Sequence, residues 1–166
     1  MTEGANQRSH RLADQFEEAH GGFVRLVESL DDEQWQLVGR NYPQRMNDED
    51  EGRTVGVIAH HVAVSGPALL RRVQDLLKGR PPSPVDARAN ARHAAEHGDV
   101  TRDEVLRLLR ESGPEMAAAI RAIPDEQLDL TRDTAVGPMS VEQRLERVVI
   151  GHITSHRGSI EGAISG

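Results

Sequence analysis

The sequence predicts an all-α fold, a four-helix bundle with a crossover segment between the second and third long helices. Apolar residues recur at helical spacing in four long stretches, and no stretch alternates convincingly between apolar and polar residues. A weak internal repeat supports this fold: SLDDEQWQL at 29–37 follows the first long stretch, and AIPDEQLDL at 122–130 follows the third. Two helix pairs related in this way predict a bundle with approximate two-fold symmetry.

The first two long helices are predicted from apolar stripes and from a capping residue. The first runs from about Ser9 to Leu30, and its inner stripe is formed by Leu12, Phe16, Phe23, Leu26, Val27 and Leu30. The second begins near Thr54, which is a good N-cap residue, and continues to about Lys78. The pair Gly66-Pro67 inside it predicts a kink or a local unwinding.

The crossover segment follows, because GRPPSP at 79–84 ends the second helix. DARANARHAAEHG at 86–98 is rich in alanine and predicts a shorter helix that ends at Gly98. Within it, HAAEH matches the reversed zincin pattern H-x-x-E-H. The polar helix and the glycine beside the second histidine favour a simpler interpretation, a protonated His97 that interacts with the helix C-terminus.

Capping residues also mark the last two long helices. Thr101 followed by Glu104 predicts a capping box at the start of the third, which Gly113-Pro114 would interrupt. Ser140 with Gln143 predicts the same arrangement at the start of the fourth.

Composition narrows the function classes. With 166 residues, we expect a single domain over 1–166, and a net charge of −7 argues against nucleic acid or an anionic membrane as partner. The polar N-terminus has no signal-peptide core, so the cytoplasm is the expected compartment. Because the chain has no cysteine, disulfides and a cysteine nucleophile are excluded, and thiol chemistry would need an external thiol.

Three histidines are candidate metal ligands. VVIGHITSHRGSI at 148–160 places His152 and His156 four residues apart on an apolar helix face, which Leu145, Val148 and Val149 share in helical projection. TVGVIAHHVAVS at 54–65 supplies a third, since His61 lies nearer the apolar stripe than His60. Three imidazoles suit Zn²⁺, Ni²⁺ or Fe²⁺ and leave a coordination position open, as in catalytic sites. The alternative is that these are core histidines with no metal.

TVGVIAHHVA at 54–63, ARANARHAAEHGDVTRDEVLRLL at 87–109 and HITSHRGSI at 152–160 resemble the DinB-like superfamily. That superfamily includes maleylpyruvate isomerases and thiol transferases that use mycothiol or bacillithiol. The resemblance implies a four-helix bundle with a metal near one end of a pocket. It also implies His61, seven residues after Thr54, together with His152 and His156 as the ligands. Family members often pair, so a homodimer is expected as well.

The resemblance implies a divalent-metal-dependent thiol S-transferase that activates a low-molecular-weight thiol for attack on an electrophilic small molecule. Zn²⁺ or Ni²⁺ is expected, with Fe²⁺ as a further candidate, and a chain rich in arginine, with Lys78 as its only lysine, favours mycothiol. Arg157 would pair with an anionic substrate group or be a surface charge, and Asn90 would face the cofactor pocket or be an ordinary polar residue. The alternatives are a metal-dependent hydrolase and a non-catalytic metal-binding or stress-response protein.

Overall fold

The all-α prediction is confirmed by a computed structural model that describes residues 6–40, 53–80, 86, 88–134 and 137–166. Helices dominate, and the strands are confined to one short hairpin among the described residues. In chain order the elements are α1 (Gln7–Ser29), α2 (Asp32–Gln36), α3 (Val55–Leu77), α4 (Ala89–Glu96), α5 (Arg102–Arg121), α6 (Asp125–Leu128), β1 (Thr131–Thr134), β2 (Gly137–Ser140), α7 (Val141–Arg144), a π-helical segment (Leu145–Ile150) and α8 (Gly151–Ile164).

Four long helical segments form the bundle. Helices α1 and α3 each pack against both α5 and α8, so α3 and α8 are neighbours across one side of the bundle. The core between them is mainly aliphatic, with Phe16 and Phe23 as fully buried aromatic residues of α1. Helix α4 lies in the predicted crossover segment and contacts α3. None of the helices in the described part of the chain is long and apolar enough to cross a membrane.

The internal repeat of the sequence corresponds to a structural repeat. The two matching stretches form the short helices α2 and α6, each of which precedes a helix that bears candidate ligands. In the first half, the Val55 N–H donates to the Leu37 carbonyl at 2.8 Å. In the second half, the Val141 N–H donates to the Leu130 carbonyl at 3.0 Å. Each short helix therefore fixes the start of the following helix through an equivalent hydrogen bond.

The predicted capping residues lie at the helix starts. The Thr54 hydroxyl accepts from the Val57 N–H at 3.3 Å, and the Thr101 hydroxyl accepts from the Glu104 N–H at 3.2 Å. At Ser140 the capping box is complete, because Gln143 also bonds back to the Ser140 backbone. These caps satisfy N–H groups that have no partner within their helices.

Neither Gly-Pro pair ends its helix. The expected interruption of α5 at Gly113-Pro114 is wrong, as is a local unwinding of α3 at Gly66-Pro67, while a kink of α3 stays a prediction. Helices α3 and α5 continue through Pro67 and Pro114. In α5 the glycine has a packing role, since a Cβ at Gly113 would lie 2.5 Å from Cε1 of His20 on α1. Proline removes one backbone donor, and the burial of both helices in the bundle outweighs that loss.

The hairpin is an element type that the sequence did not predict. Strand β1 pairs antiparallel with β2, with Thr131 opposite Ser140 and Thr134 opposite Gly137. Gly137 has φ 103°, a conformation that favours glycine. Strands of four residues are too short to show a convincing alternation of apolar and polar side chains.

Candidate metal centre

The three predicted ligands lie on two neighbouring helices of the bundle. His61 lies in the second turn of α3, after the Thr54 cap, and His152 and His156 lie on one face of α8. A π-helical segment, Leu145–Ile150, comes just before His152. A π turn holds more residues than an α turn, so a helical projection does not carry across it. For this reason Val149 is buried whereas Val148, predicted to share the ligand face, is only partly buried.

These three histidines, which we call the core triad, converge on one point. Nε2 of His61 lies 3.0 Å from Nε2 of His152, and the ring centroids are 4.5 to 5.0 Å apart. One ligand nitrogen from each ring can be chosen so that all three lie within 4.8 Å of one another. His152 and His156 are only 7% and 1% exposed, and His61 is half-buried.

The donor set of the core triad fits a divalent cation. Two nitrogen ligands at about 2.0–2.1 Å from a tetrahedral ion lie roughly 3.4 Å apart, close to the spacing found here. The Ser65 hydroxyl lies 3.4 Å from Nε2 of His152 and donates to the His61 carbonyl. Three neutral nitrogen donors suit zinc, nickel and iron and leave a fourth position for an exogenous ligand. The structure thus brings the predicted ligands together, while metal binding itself stays a prediction.

The other two predicted site residues lie outside the core triad. Arg157 on α8 pairs with Glu161 through Nε at 2.7 Å, and its Nη1 lies 2.7 Å from the place where a Cβ on Gly22 would be. Its guanidinium therefore rests against α1, with 43% of the side chain exposed. Asn90 lies at the start of α4 and is half-buried. Their roles toward substrate or cofactor stay predictions.

A second cluster of histidines, the crossover triad, consists of His60, His93 and His97. Nδ1 of His60 lies 2.8 Å from Nε2 of His93, and the three ring centroids are 4.3 to 5.0 Å apart. As in the core triad, one nitrogen from each ring can be chosen so that all three lie within 4.8 Å of one another. The two triads are in contact, since the rings of His61 and His93 lie 5.6 Å apart, edge to face.

Burial favours the neutral form of two crossover rings, those of His60 and His93. Burial lowers the pKa of His60, and the nearby His97 adds to this effect while Glu104 opposes it. Burial also lowers the pKa of His93 to about 4, with smaller contributions from His60, His97 and the Arg53 guanidinium. A neutral imidazole is the form that binds a metal.

Sequence reasoning missed this second cluster. It placed His93 within a polar helix, His97 at the C-terminus of that helix, and His60 on the less apolar side of the second long helix. The available signal was their spacing, since His93 and His97 are four residues apart like the two ligands on α8. What the spacing could not show is that α4 packs on the side of α3 where His60 lies.

Two solved structures share this fold. The mycothiol-dependent maleylpyruvate isomerase superposes with a TM-score of 0.70 at 17% identity, over 94% of this chain and 61% of the isomerase. YfiT from Bacillus subtilis, described as a probable metal-dependent hydrolase with an unusual four-helix bundle topology, superposes with a TM-score of 0.70 at 20% identity. That match covers 95% of this chain and 86% of YfiT. At identities this low, the two superpositions establish a common fold and nothing beyond it.

The family follows from the sequence match. No curated protein matches this chain significantly. The family model for the DinB superfamily, in contrast, matches residues 15–160. This range contains all six triad histidines and at least part of every long helix of the bundle. The chain therefore belongs to the DinB superfamily.

Proposed function

We propose that this protein is a divalent-metal-dependent thiol S-transferase, which joins a low-molecular-weight thiol to an electrophilic small molecule. The observation that carries the proposal is the convergence of three imidazole nitrogens from α3 and α8 at one point. Three protein ligands leave a position where a co-substrate can bind, whereas structural zinc sites use four. The likeness to a mycothiol-dependent isomerase supports a thiol as that co-substrate and mycothiol as the first to test.

The ligand set suits thiol activation. A divalent ion held by the core triad would lower the pKa of a bound thiol, much as it lowers that of bound water. Imidazoles are neutral ligands, so they leave the charge of the ion available to stabilise an anionic sulfur. His61 is half-buried while its two companions are buried, which places the accessible side of the triad next to His61. Since the chain has no cysteine, the sulfur must come from the co-substrate.

The transfer needs no oxidant or reductant. The thiol loses its proton to solvent, and its sulfur forms a bond to the electrophilic carbon. A leaving group departs with its electron pair, or, in an addition, the neighbouring carbon takes up a proton. Arg157 and Asn90 are proposed to position the reactants, because Arg157 follows the ligand His156 on α8 and Asn90 lies on α4, which contacts the ligand helix α3. The pairing of Arg157 with Glu161 involves Nε, so the proposal assigns its Nη groups to an anionic substrate.

A second candidate is a metal-dependent hydrolase, which the likeness to YfiT favours. The same three ligands would serve this reaction, with water in place of the thiol at the open position. A thiol requirement separates the two, because the hydrolase turns over without a thiol.

The test uses protein stripped with a chelator and reloaded separately with Zn²⁺, Ni²⁺ or Fe²⁺. Conjugation of monochlorobimane is followed with mycothiol, with bacillithiol and with no added thiol, and cleavage of a chromogenic ester is followed in parallel. We expect metal-dependent conjugation that is fastest with mycothiol and is lost in His152→Ala. His10→Ala, an exposed histidine of α1 outside both triads, is the control that should keep full activity.

The other outcomes overturn the transferase proposal. Ester cleavage without any thiol would favour the hydrolase. Full metal loading with neither reaction would favour a non-catalytic metal-binding protein.

A further inference from the structure

We propose that His60, His93 and His97 form a second divalent-cation site, separate from the core triad. The site would take the late first-row ions that imidazole prefers, such as zinc, nickel or cobalt. This inference does not rest on the proposed function, because it concerns a different set of ligands. It would hold equally if the protein were a hydrolase or had no activity.

The geometry of the crossover triad matches that of the core triad. Its closest nitrogen pair is 2.8 Å apart, against 3.0 Å in the core triad, and ring centroids in both clusters lie between 4.3 and 5.0 Å apart. Six of the eight histidines of the chain belong to one cluster or the other. A single hydrogen bond between two rings would account for the contact of His60 with His93. It would not account for the position of the His97 ring close to both of them.

The two clusters face different sides of α3. Consecutive helical residues point about 100° apart, so His60 and His61 cannot serve the same ion from one face. His61 faces α8, which bears its two companions, and His60 faces α4. The adjacent pair therefore supplies one ligand to each of two neighbouring sites.

A metal ion at the crossover triad would stabilise the position of α4 against the bundle. None of the eight residues of α4 is buried, so little apolar packing fixes this helix to the bundle. Its contacts with α3 include the rings of His93 and His97 against His60. An ion shared by the three rings would attach the crossover segment to α3.

The fixed charges around the crossover triad offset one another. The Arg53 guanidinium, which is 4% exposed, lies near His93 and disfavours a cation. The Glu104 carboxylate, at the start of α5, lies near His60 and favours one. Glu96 completes the H-x-x-E-H pattern but is exposed and interacts with Arg92, so it is not arranged as the base of a protease site.

Metal stoichiometry tests the inference. Stripped protein is dialysed to equilibrium against Co²⁺ and then against Zn²⁺, and bound metal is counted by mass spectrometry. We expect two ions per wild-type chain and one in His93→Gln, in His97→Gln and in His152→Gln. His10→Gln should still bind two. Circular dichroism establishes that each variant is folded, and the half-buried His97 provides a second variant if His93→Gln fails to fold.

Two results would overturn the inference. One is a wild-type chain that binds one ion and keeps it in both crossover variants. The other is loss of all metal in folded His93→Gln or His97→Gln, which would mean that the six histidines form one mixed site.

Hydrogen exchange gives an independent readout. When the second ion binds, amides of α4 should exchange more slowly while amides in the core of α8 should not change. At a free metal concentration about 100 times the Kd, slowing should approach about 100-fold for amides that exchange by detachment of α4. No slowing in 89–96 at saturating metal would contradict a site that attaches this helix.

Discussion

The core triad and the crossover triad have the same chemistry but different mechanical support. Each presents three imidazoles within 4.8 Å of one another. The core triad is held by α3 and α8, two long helices that pack against each other in the bundle. The crossover triad depends on α4, a helix of eight residues with none of them buried. The comparison shows that a ligand set fixes which ions can bind, whereas the surrounding packing fixes how firmly the ligands are placed.

This difference in support predicts a difference in behaviour. Helices of a packed core open only near the global unfolding free energy, whereas thinly packed segments open at much lower cost. An ion in the core triad would therefore exchange slowly, and an ion in the crossover triad would exchange by detachment of α4.

Removal of a core ligand should have the largest effect. In His152→Ala or His156→Ala the core site keeps two imidazoles, and we expect its Kd for zinc to rise more than about 100-fold, beyond the 10–100-fold cost of losing a second-shell partner. His97→Ala and His60→Ala should leave this tight site unchanged. Competition against a chromophoric chelator measures the Kd of the tight site in each of these variants. Loss of the tight site in His60→Ala but not in His61→Ala would show that the predicted register of α3 is wrong.

The rate of metal release should differ between the triads in the wild-type protein. After addition of excess chelator to zinc-loaded protein, we expect two phases, with the fast phase at least about tenfold faster because it needs only local opening. His97→Ala should lack the fast phase, and His152→Ala should lack the slow one. A single phase that both variants preserve would remove the contrast between the triads.

The two triads also differ in how well the sequence predicted them. His61, His152 and His156 were found because they lie on long periodic helices, where spacing determines which residues share a face. The capping residues and the internal repeat were also readable, since both are local sequence patterns, but the sequence analysis did not assign the repeated stretches to short helices. The crossover triad was not, because the position of α4 against α3 depends on a contact between elements and not on periodicity within one.

The remaining differences have local causes. Gly113-Pro114 predicted an interruption and Gly66-Pro67 a kink or a local unwinding, because proline disfavours a helix interior, but burial in the bundle keeps α3 and α5 continuous. The partial exposure of Val148 could not be predicted, since no residue type marks a π turn in advance.

Trp35 provides a smaller and selective perturbation of the crossover segment. Its buried indole N–H donates to the Val100 carbonyl at 3.0 Å, where the crossover ends before α5. Trp35→Phe removes this bond, and we expect about 1 kcal/mol less stability in urea unfolding. The crossover site should weaken more than the core site, whereas the exposed neighbour variant Gln36→Ala should change neither. Equal weakening of both sites would show that the segment does not act on the crossover triad alone.

The smallest effect concerns His20, a half-buried histidine that belongs to neither triad. Its ring packs against Phe16 and over Gly113, and burial lowers its pKa below the ordinary value. The unfolded chain therefore binds more protons than the folded one, so its contribution to stability is lost as pH falls through about 6.5 and below. Ligand histidines would add their own acid dependence when metal is bound, so the measurement uses metal-free protein.

His20→Gln keeps a polar side chain that does not titrate. The variant therefore separates the acid sensitivity that comes from His20 from that of the other histidines. Urea unfolding of the metal-free variant between about pH 7 and pH 5 should show a shallower loss of stability than the wild type. The variant should bind metal at both triads with unchanged stoichiometry, because its site lies at the α1–α5 contact. If the slope is the same in both proteins, burial of His20 does not govern the acid response, and His60 and His93, whose pKa values burial also lowers, become its source.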